Sequence, residues 1–301
     1  MDRQFICKRG IHMASSKLAW TDGIGQAYFQ ALPGAGDHTH HHHRGQMTDD
    51  DSERYRAPAL DKGLDILELL ARTDGGLTQI EIAKSIGKSP NELYRMLDRL
   101  VRRGYVQRLD GDRFSLTLKM FGLAHFHAPI RRLVSFAAPV MRDFSASAEQ
   151  ACHLAVHDRG SVVVIAQQES STYWAMSMRV GAQMSLFHTG SGHVLLAFQT
   201  EAQRQIMITE QVRGSGETIP PGLADRLAEV RKNGFESMDS LQTAGVRNIS
   251  APVLTLDGTA LAVITCPYIT PLGGKAPTRE ACEVLIREAA KRISEIVTGT
   301  I

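Results

Sequence analysis

The chain reads as an α+β protein: a small unit of three helices and a hairpin, followed by a larger unit that mixes strands and helices. Three observations predict this. Helical periodicities over 60–71, 79–86 and 90–103 are each closed by a glycine-containing stop. Asp110-Gly111-Asp112 separates two short β-prone runs. Beyond residue 150, apolar β-branched runs alternate with helical ones.

The elements of the first unit follow in order. Leu60, Leu64, Leu67 and Leu70 recur at helical spacing, and the helix should stop near Asp74-Gly75-Gly76. Thr78-x-x-Glu81 spells a capping box that starts a short helix carrying Ile82, Ala83 and Ile86 and ending at Gly87. A second box has Ser89 as N-cap, Pro90 at the first helical position and Glu92 at the third. On this third helix Leu93, Met96, Leu97, Leu100 and Val101 share one face, while Asn91, Arg95, Asp98 and Arg102 point the other way. Strands over 105–109 and 113–116 then make a hairpin around the Asp-Gly turn. Helix, helix, turn, helix and hairpin is a winged helix-turn-helix, assigned to residues 57–118.

A linker helix is placed at 119–130 and a second domain at 131–301. Helices read over 116–127 and 130–150, the latter kinked or broken at Pro139. Strands follow at 152–156, 162–168, 249–253 and 261–266, and helices at 191–199, 201–209, 223–233 and 278–297. Residues 1–56, with His40 to His43 and Asp49 to Asp51, read as a disordered or tag-like arm in which Met47 is an alternative start.

Composition narrows the function classes. At 301 residues, 43% apolar and 22% charged, the chain is long enough for two ordinary domains. No apolar run is long enough to span a bilayer and no secretory signal is read, so no membrane partner and a cytoplasmic location are expected. The cysteines Cys7, Cys152, Cys266 and Cys282 form no C-x-x-C pair, which argues for reduced thiols and against a cysteine zinc site. No P-loop, dinucleotide fingerprint, G-x-S-x-G or H-E-x-x-H is found, so neither a cofactor nor catalysis is expected.

Charge is informative only when divided along the chain. Residues 120–301 hold 16 basic against 16 acidic side chains, whereas 84–113 hold 8 against 4. A local positive field on a short helix suits the DNA major groove, where base edges are read. The candidate contacts are Thr78 and Gln79 on the second helix and Ser89, Pro90, Asn91, Tyr94 and Arg95 at the start of the third. Arg99 is a candidate for the phosphate backbone, and Arg108 and Arg113 flank the wing tip. Glu92 is explained by its cap. The residues alone leave open a metabolite-processing enzyme or a protein-interaction adaptor carrying a winged-helix accessory domain.

Taken together, ALDKGLDILELL, LTQIEIAKSIG, LYRMLDRLVRRGYV and RFSLTLK, then GSGHVLLA from Gly190 and GVRNISAPVLTLDGTALAVI from Gly245, resemble the IclR family of bacterial transcription regulators over about 58–298. That resemblance implies a winged-helix DNA-binding domain, a dimerising linker helix and a GAF-like effector-binding domain. It implies a homodimer or homotetramer that binds a double-stranded operator, acts as repressor or activator of a catabolic operon, and answers to a small organic acid or aromatic catabolite. Pro90-Asn91-Glu92 stands where the family often has Lys-Ser-Thr, so no operator sequence carries over.

For the effector, the turn that opens a helix at Gly190 and Ser191 offers free amides and a hydroxyl to a carboxylate. Asp239, Ser240 and Ser250 are further polar candidates, and Met176 and Met178, alternating along an expected strand, are apolar ones. Cys152 and His153 point to opposite faces of a strand and do not form a metal or nucleophile site with His157.

Overall fold

The computed structural model describes residues 57–172, 175–270 and 277–299; the arm 1–56, with its histidine tract and Cys7, lies outside them. Helix α1 (Pro58–Ala71) begins with proline in its first turn and buries Ile66 and Leu70. Leu60 and Leu64 do not join that face: they are 61% and 48% exposed, so the apolar stripe read from four leucines is covered at one end only.

Helix α2 (Gln79–Ser85) is preceded by a two-residue strand, β1 (Leu77–Thr78), too short to leave a pattern in the sequence. Its partner is β3 (Arg113–Leu116), which also pairs with β2 (Val106–Leu109), giving the order β1-β3-β2. The hairpin closes over three residues, from Leu109 opposite Arg113, with both Gly111 and Asp112 at positive φ. Helix α3 (Pro90–Arg102) sends Leu93 and Leu97 into a small core with Ile66, Ile82, Val106 and Phe114.

Helix α4 (Lys119–Phe126) starts later than the periodicity suggested, because Leu116 is spent on β3. After His127 the chain enters α5 (Ala128–Ala148), which continues through Pro139 without a break.

The remaining strands form one antiparallel sheet, ordered β6-β5-β4-β9-β8-β7. They are β4 (Cys152–Asp158), β5 (Ser161–Gln168), β6 (Gln183–Ser185), β7 (Glu236–Asp239), β8 (Val246–Leu254) and β9 (Ala260–Ile269). The edge strands β6 and β7 have three and four residues and were not read from the sequence. One face packs on α5 and α9 (Arg279–Thr298) through Leu133, Phe144, Leu154, Ile249, Ile264 and Ile286. The other packs on α6 (Gly190–Ala197), with α7 (Glu201–Ser215) and α8 (Leu223–Asn233) beyond it, through Ala155, Val164, Leu195, Met207 and Leu227. Strand β4 is therefore covered on both faces, and Cys152 and His153 do face opposite layers.

Leu97 is 1% exposed at the centre of the small core. Leu97→Ala should lower the unfolding free energy by about 2–5 kcal/mol in a denaturant titration, through lost burial and the cavity left behind.

Candidate nucleic-acid interface and ligand site

The start of α3 is held by a network that separates braced polar groups from free ones. Glu92 accepts from the Ser89 backbone N–H (2.9 Å) and hydroxyl (3.0 Å), and its other oxygen meets Lys62 Nζ at 3.1 Å. The Ser89 amide, with Lys62 and the Ser89 hydroxyl adding to it, holds the Glu92 carboxyl down to about 2. Thr78 and Glu81 close the reciprocal box of α2: Glu81 N–H donates to Thr78 Oγ1 (3.3 Å) and Thr78 N–H to Glu81 Oε2 (2.8 Å). Gln79 Nε2 donates to Pro90 O at 2.7 Å, fastening α2 to the first turn of α3.

The wing arginines are also engaged. Arg113 donates to Gly75 O (3.2 Å) and Gly76 O (2.7 Å), clamping the turn before β1. Arg108 lies 5.2 Å from the Phe114 ring centre and 3.8 Å from Asp112 Oδ1. On α3, Arg102 is paired with Asp98 at 2.9 Å.

On α3 itself the exposed side chains left over lie along one stripe. Asn91, Arg95 and Arg99 recur every fourth residue, are exposed, and their side chains have no hydrogen bond or ion pair among the described residues; Tyr94 beside them is 59% exposed. Two cations and an amide are thus presented at and just beyond the positive end of a helix braced from behind, an arrangement suited to phosphates and base edges.

In the larger unit the sheet carries a row of polar side chains beneath α6. Strand registers place Gln167 opposite His153, His153 opposite Thr265, Thr265 opposite Ser250, and Ser250 opposite Glu236. Paired residues share a face, so these five positions cross from β5 to β7 on one side of the sheet. Ser191 Oγ, in the first turn of α6, is 2.9 Å from Thr265 Oγ1, which donates to Ser250 Oγ at 2.9 Å. All three hydroxyls are buried.

At the β7 end, Glu236 is the buried anchor. Arg226 holds it with two bonds (Nε–Oε2 2.8 Å, Nη2–Oε1 2.7 Å), and His193 Nδ1 lies 3.0 Å from Oε2. His193 Nε2 donates to Phe187 O at 2.9 Å, since a carbonyl only accepts. Burial works against the ionised Glu236, but the bonds from His193 and Arg226 outweigh it, and the carboxyl stays below its ordinary range.

Helix α6 begins with Thr189 accepting from Gly192 N at 3.0 Å, while the amides of Gly190 and Ser191 have no acceptor among the described residues. A side chain at Gly190 would meet Ser250 Oγ at 2.9 Å, so the helix start lies directly on the polar row.

Of the ligand candidates, the structure thus brings Gly190, Ser191 and Ser250 together. Asp239 and Ser240 lie elsewhere: Asp239 pairs with Arg247 at 2.9 Å, and Ser240 Oγ accepts from the Gln242 and Thr243 amides in a turn. Met176 and Met178 are not on a strand but in an irregular segment over 175–179; both are half-buried, and Met178 packs against the apolar layer under α6. Thr265, His153, Gln167 and Glu236 were missed as candidates, because their common face is a matter of strand order, which no local pattern encodes.

A three-helix unit with a wing and a free cationic stripe, joined to an α/β unit with a buried polar layer, defines the class of winged-helix regulators carrying a ligand-sensing domain. Residues 59–110 match the model of the IclR helix-turn-helix domain, and residues 128–295 match that of the bacterial transcriptional regulator IclR C-terminal domain. The chain belongs to the IclR family of DNA-binding bacterial transcriptional regulators. It is similar to the regulator RhmR of Escherichia coli (29% identical over 217 residues, 71% of this chain and 83% of that protein). It is also similar to BhcR of Paracoccus denitrificans (29% over 242 residues, 78% and 86%). Among solved structures, the IclR of Thermotoga maritima shares the fold with a TM-score of 0.62 at 23% identity, over 79% of this chain and 98% of that one. So does an IclR homologue of Microbacterium hydrocarbonoxydans, complexed with 4-hydroxybenzoate (TM-score 0.65, 20% identity, 78% and 97%).

Two expectations separate reading residues from bracing ones. Arg95→Ala should lose roughly 1–3 kcal/mol of operator affinity with an unchanged melting temperature. Arg113→Ala should instead cost about 1 kcal/mol of stability, from the lost bonds to Gly75 and Gly76.

A third concerns pH. Burial pushes His153 down to about 4, and His157 likewise despite the opposing charge of Asp158, against an ordinary value of 6.5. The unfolded chain therefore binds more protons than the folded one between about 6.5 and 4. Stability should be complete above about pH 6.5 and fall as the pH drops through that window, a slope that His153→Phe should flatten in melting curves.

Proposed function

We propose that this member of the family reads an operator through Asn91, Tyr94 and Arg95 of α3, with Arg99 on the phosphate backbone and Ser89 and Pro90 at the helix start, and controls a catabolic operon. The observation that carries this reading is the unpaired stripe on a helix whose other polar groups are bonded internally. In this reading residues 57–118 bind DNA, 119–130 link, and 131–301 sense. In this reading Thr78, Gln79, Arg108 and Arg113 shape the interface and touch the backbone at most.

The chain acts as a homodimer or homotetramer. Leu118, Phe121 and Phe126, which lie on and beside α4, are 83%, 60% and 78% exposed, and Leu60 and Leu64 of α1 are bare as well. Apolar surface so concentrated around a linker is best covered by a second copy, and two copies match two half-sites.

Its effector is a small organic acid received at the start of α6. Support comes from the Gly190 and Ser191 amides over buried hydroxyls and from the aromatic acid held by the Microbacterium homologue. Catalysis plays no part in this reading. The ligand changes DNA affinity by favouring one arrangement of the paired winged helices.

The test is an electrophoretic mobility assay on DNA upstream of the chain's own gene. A discrete complex should form and weaken steeply as salt rises from about 50 to 300 mM, because every neutralised phosphate releases counterions. A flat salt response, or equal retention of unrelated DNA, would overturn the proposal.

A further inference from the structure

We infer that His153 and Gln167 form the specificity-determining end of the ligand site, and that the ligand is a small carboxylate bearing a hydroxyl group several bonds away from the acid. This deepens the effector reading above and rests on it.

The polar row is satisfied at one end and open at the other. Glu236 is bonded to Arg226 and His193, and Ser250, Thr265 and Ser191 are bonded to one another. His153, 3% exposed on the central strand β4, has neither ring nitrogen hydrogen-bonded, and Gln167 Nε2 on β5 is buried without a partner. Among the described residues these are three of the four buried side-chain atoms without a partner, and the two residues stand opposite each other in one strand register. Buried polar atoms in a well-packed core are ordinarily paired. A neighbouring pair that is not, beside a helix start with free amides, marks a place for a guest.

The donors and acceptors say what kind of guest. Burial disfavours the charged imidazole and keeps His153 neutral near pH 7, so one nitrogen donates and the other accepts. Gln167 Nε2 only donates. With the acceptor nitrogen of the ring turned toward Gln167, the group that bridges the two must donate to the ring and accept from the amide, as a hydroxyl does. An oxo or carboxylate oxygen accepts only and would leave the ring acceptor bare, and an ammonium donates only. The acid end belongs to Gly190 and Ser191, whose hydroxyl lies over Thr265 on β9. Since β9 is the neighbour of β4 and strands lie about 4.8 Å apart, the ligand's hydroxyl and carboxylate are separated by about one strand spacing or more. Half-buried Met178 supplies apolar cover on the same side of the sheet.

The experiment uses the full-length chain and matched acids that differ by one hydroxyl: 4-hydroxybutyrate against butyrate, and 4-hydroxyphenylacetate against phenylacetate. Calorimetric titration should show at least one hydroxylated member binding roughly tenfold or more tightly than its partner. In His153→Phe that preference should vanish while the unhydroxylated acid still binds. The ligand-free melting temperature at neutral pH should hold or rise, because an unpaired polar ring is replaced by an apolar one. Gln167→Leu, at a half-buried position, applies the same test should His153→Phe fail to fold. Equal binding within every pair, or a preference that survives substitution, overturns this inference and leaves the effector site standing. Binding of none of the acids removes both.

Discussion

The close seating of α6 on the sheet depends on a missing side chain. A Cβ at Gly192 would run into the backbone of Leu186, and one at Gly190 would crowd Ser250 and Glu236. With glycine at both positions the first turn comes near enough for Ser191 to bond Thr265, and the whole helix, Gly190 to Ala197, is buried. The Arg226–Glu236–His193 cluster then ties α8, β7 and α6 together at one edge. Close approach, the hydroxyl chain and the ion cluster thus secure one helix, and through it the geometry of the site.

The winged helix follows the same logic with charge instead of space. Of its many polar groups, most are spent on each other: Glu92 on Ser89 and Lys62, Gln79 on Pro90, Arg113 on two carbonyls, Arg102 on Asp98. A helix so fastened on one side has little conformational freedom left to lose on binding, and the side chains of Asn91, Arg95 and Arg99 keep their bonding capacity on the other.

Much of the first unit was legible in the sequence because its signals are local. The Thr78 and Ser89 boxes, Pro90 and Gly104 punctuate helices within a few residues, and the α3 periodicity separates its buried leucines from its cations. Two things were not legible. Leu60 and Leu64 repeat like core residues, yet nothing in the described chain covers them, and periodicity does not say whether a partner is present. Of the buried polar row and the helix start above it, Gly190, Ser191 and Ser250 were read from turn and strand-end chemistry. His153 was set aside once its neighbour Cys152 was seen to face away. The partners of His153 lie on β5 and β9, and only the sheet order brings Gln167 and Thr265 beside it. Asp239 and Ser240 show the converse: similar chemistry that the fold engages away from that row, in a pair with Arg247 and in a turn.

The sheet also ends abruptly. Its outermost strands offer three and four residues of ladder, against nine and ten in β8 and β9. Open backbone along such stubs gives an incoming strand few bonds to make, which discourages runaway end-to-end growth into fibres. Main-chain continuation from either end of this sheet is therefore a poor route for one copy of the chain to join another.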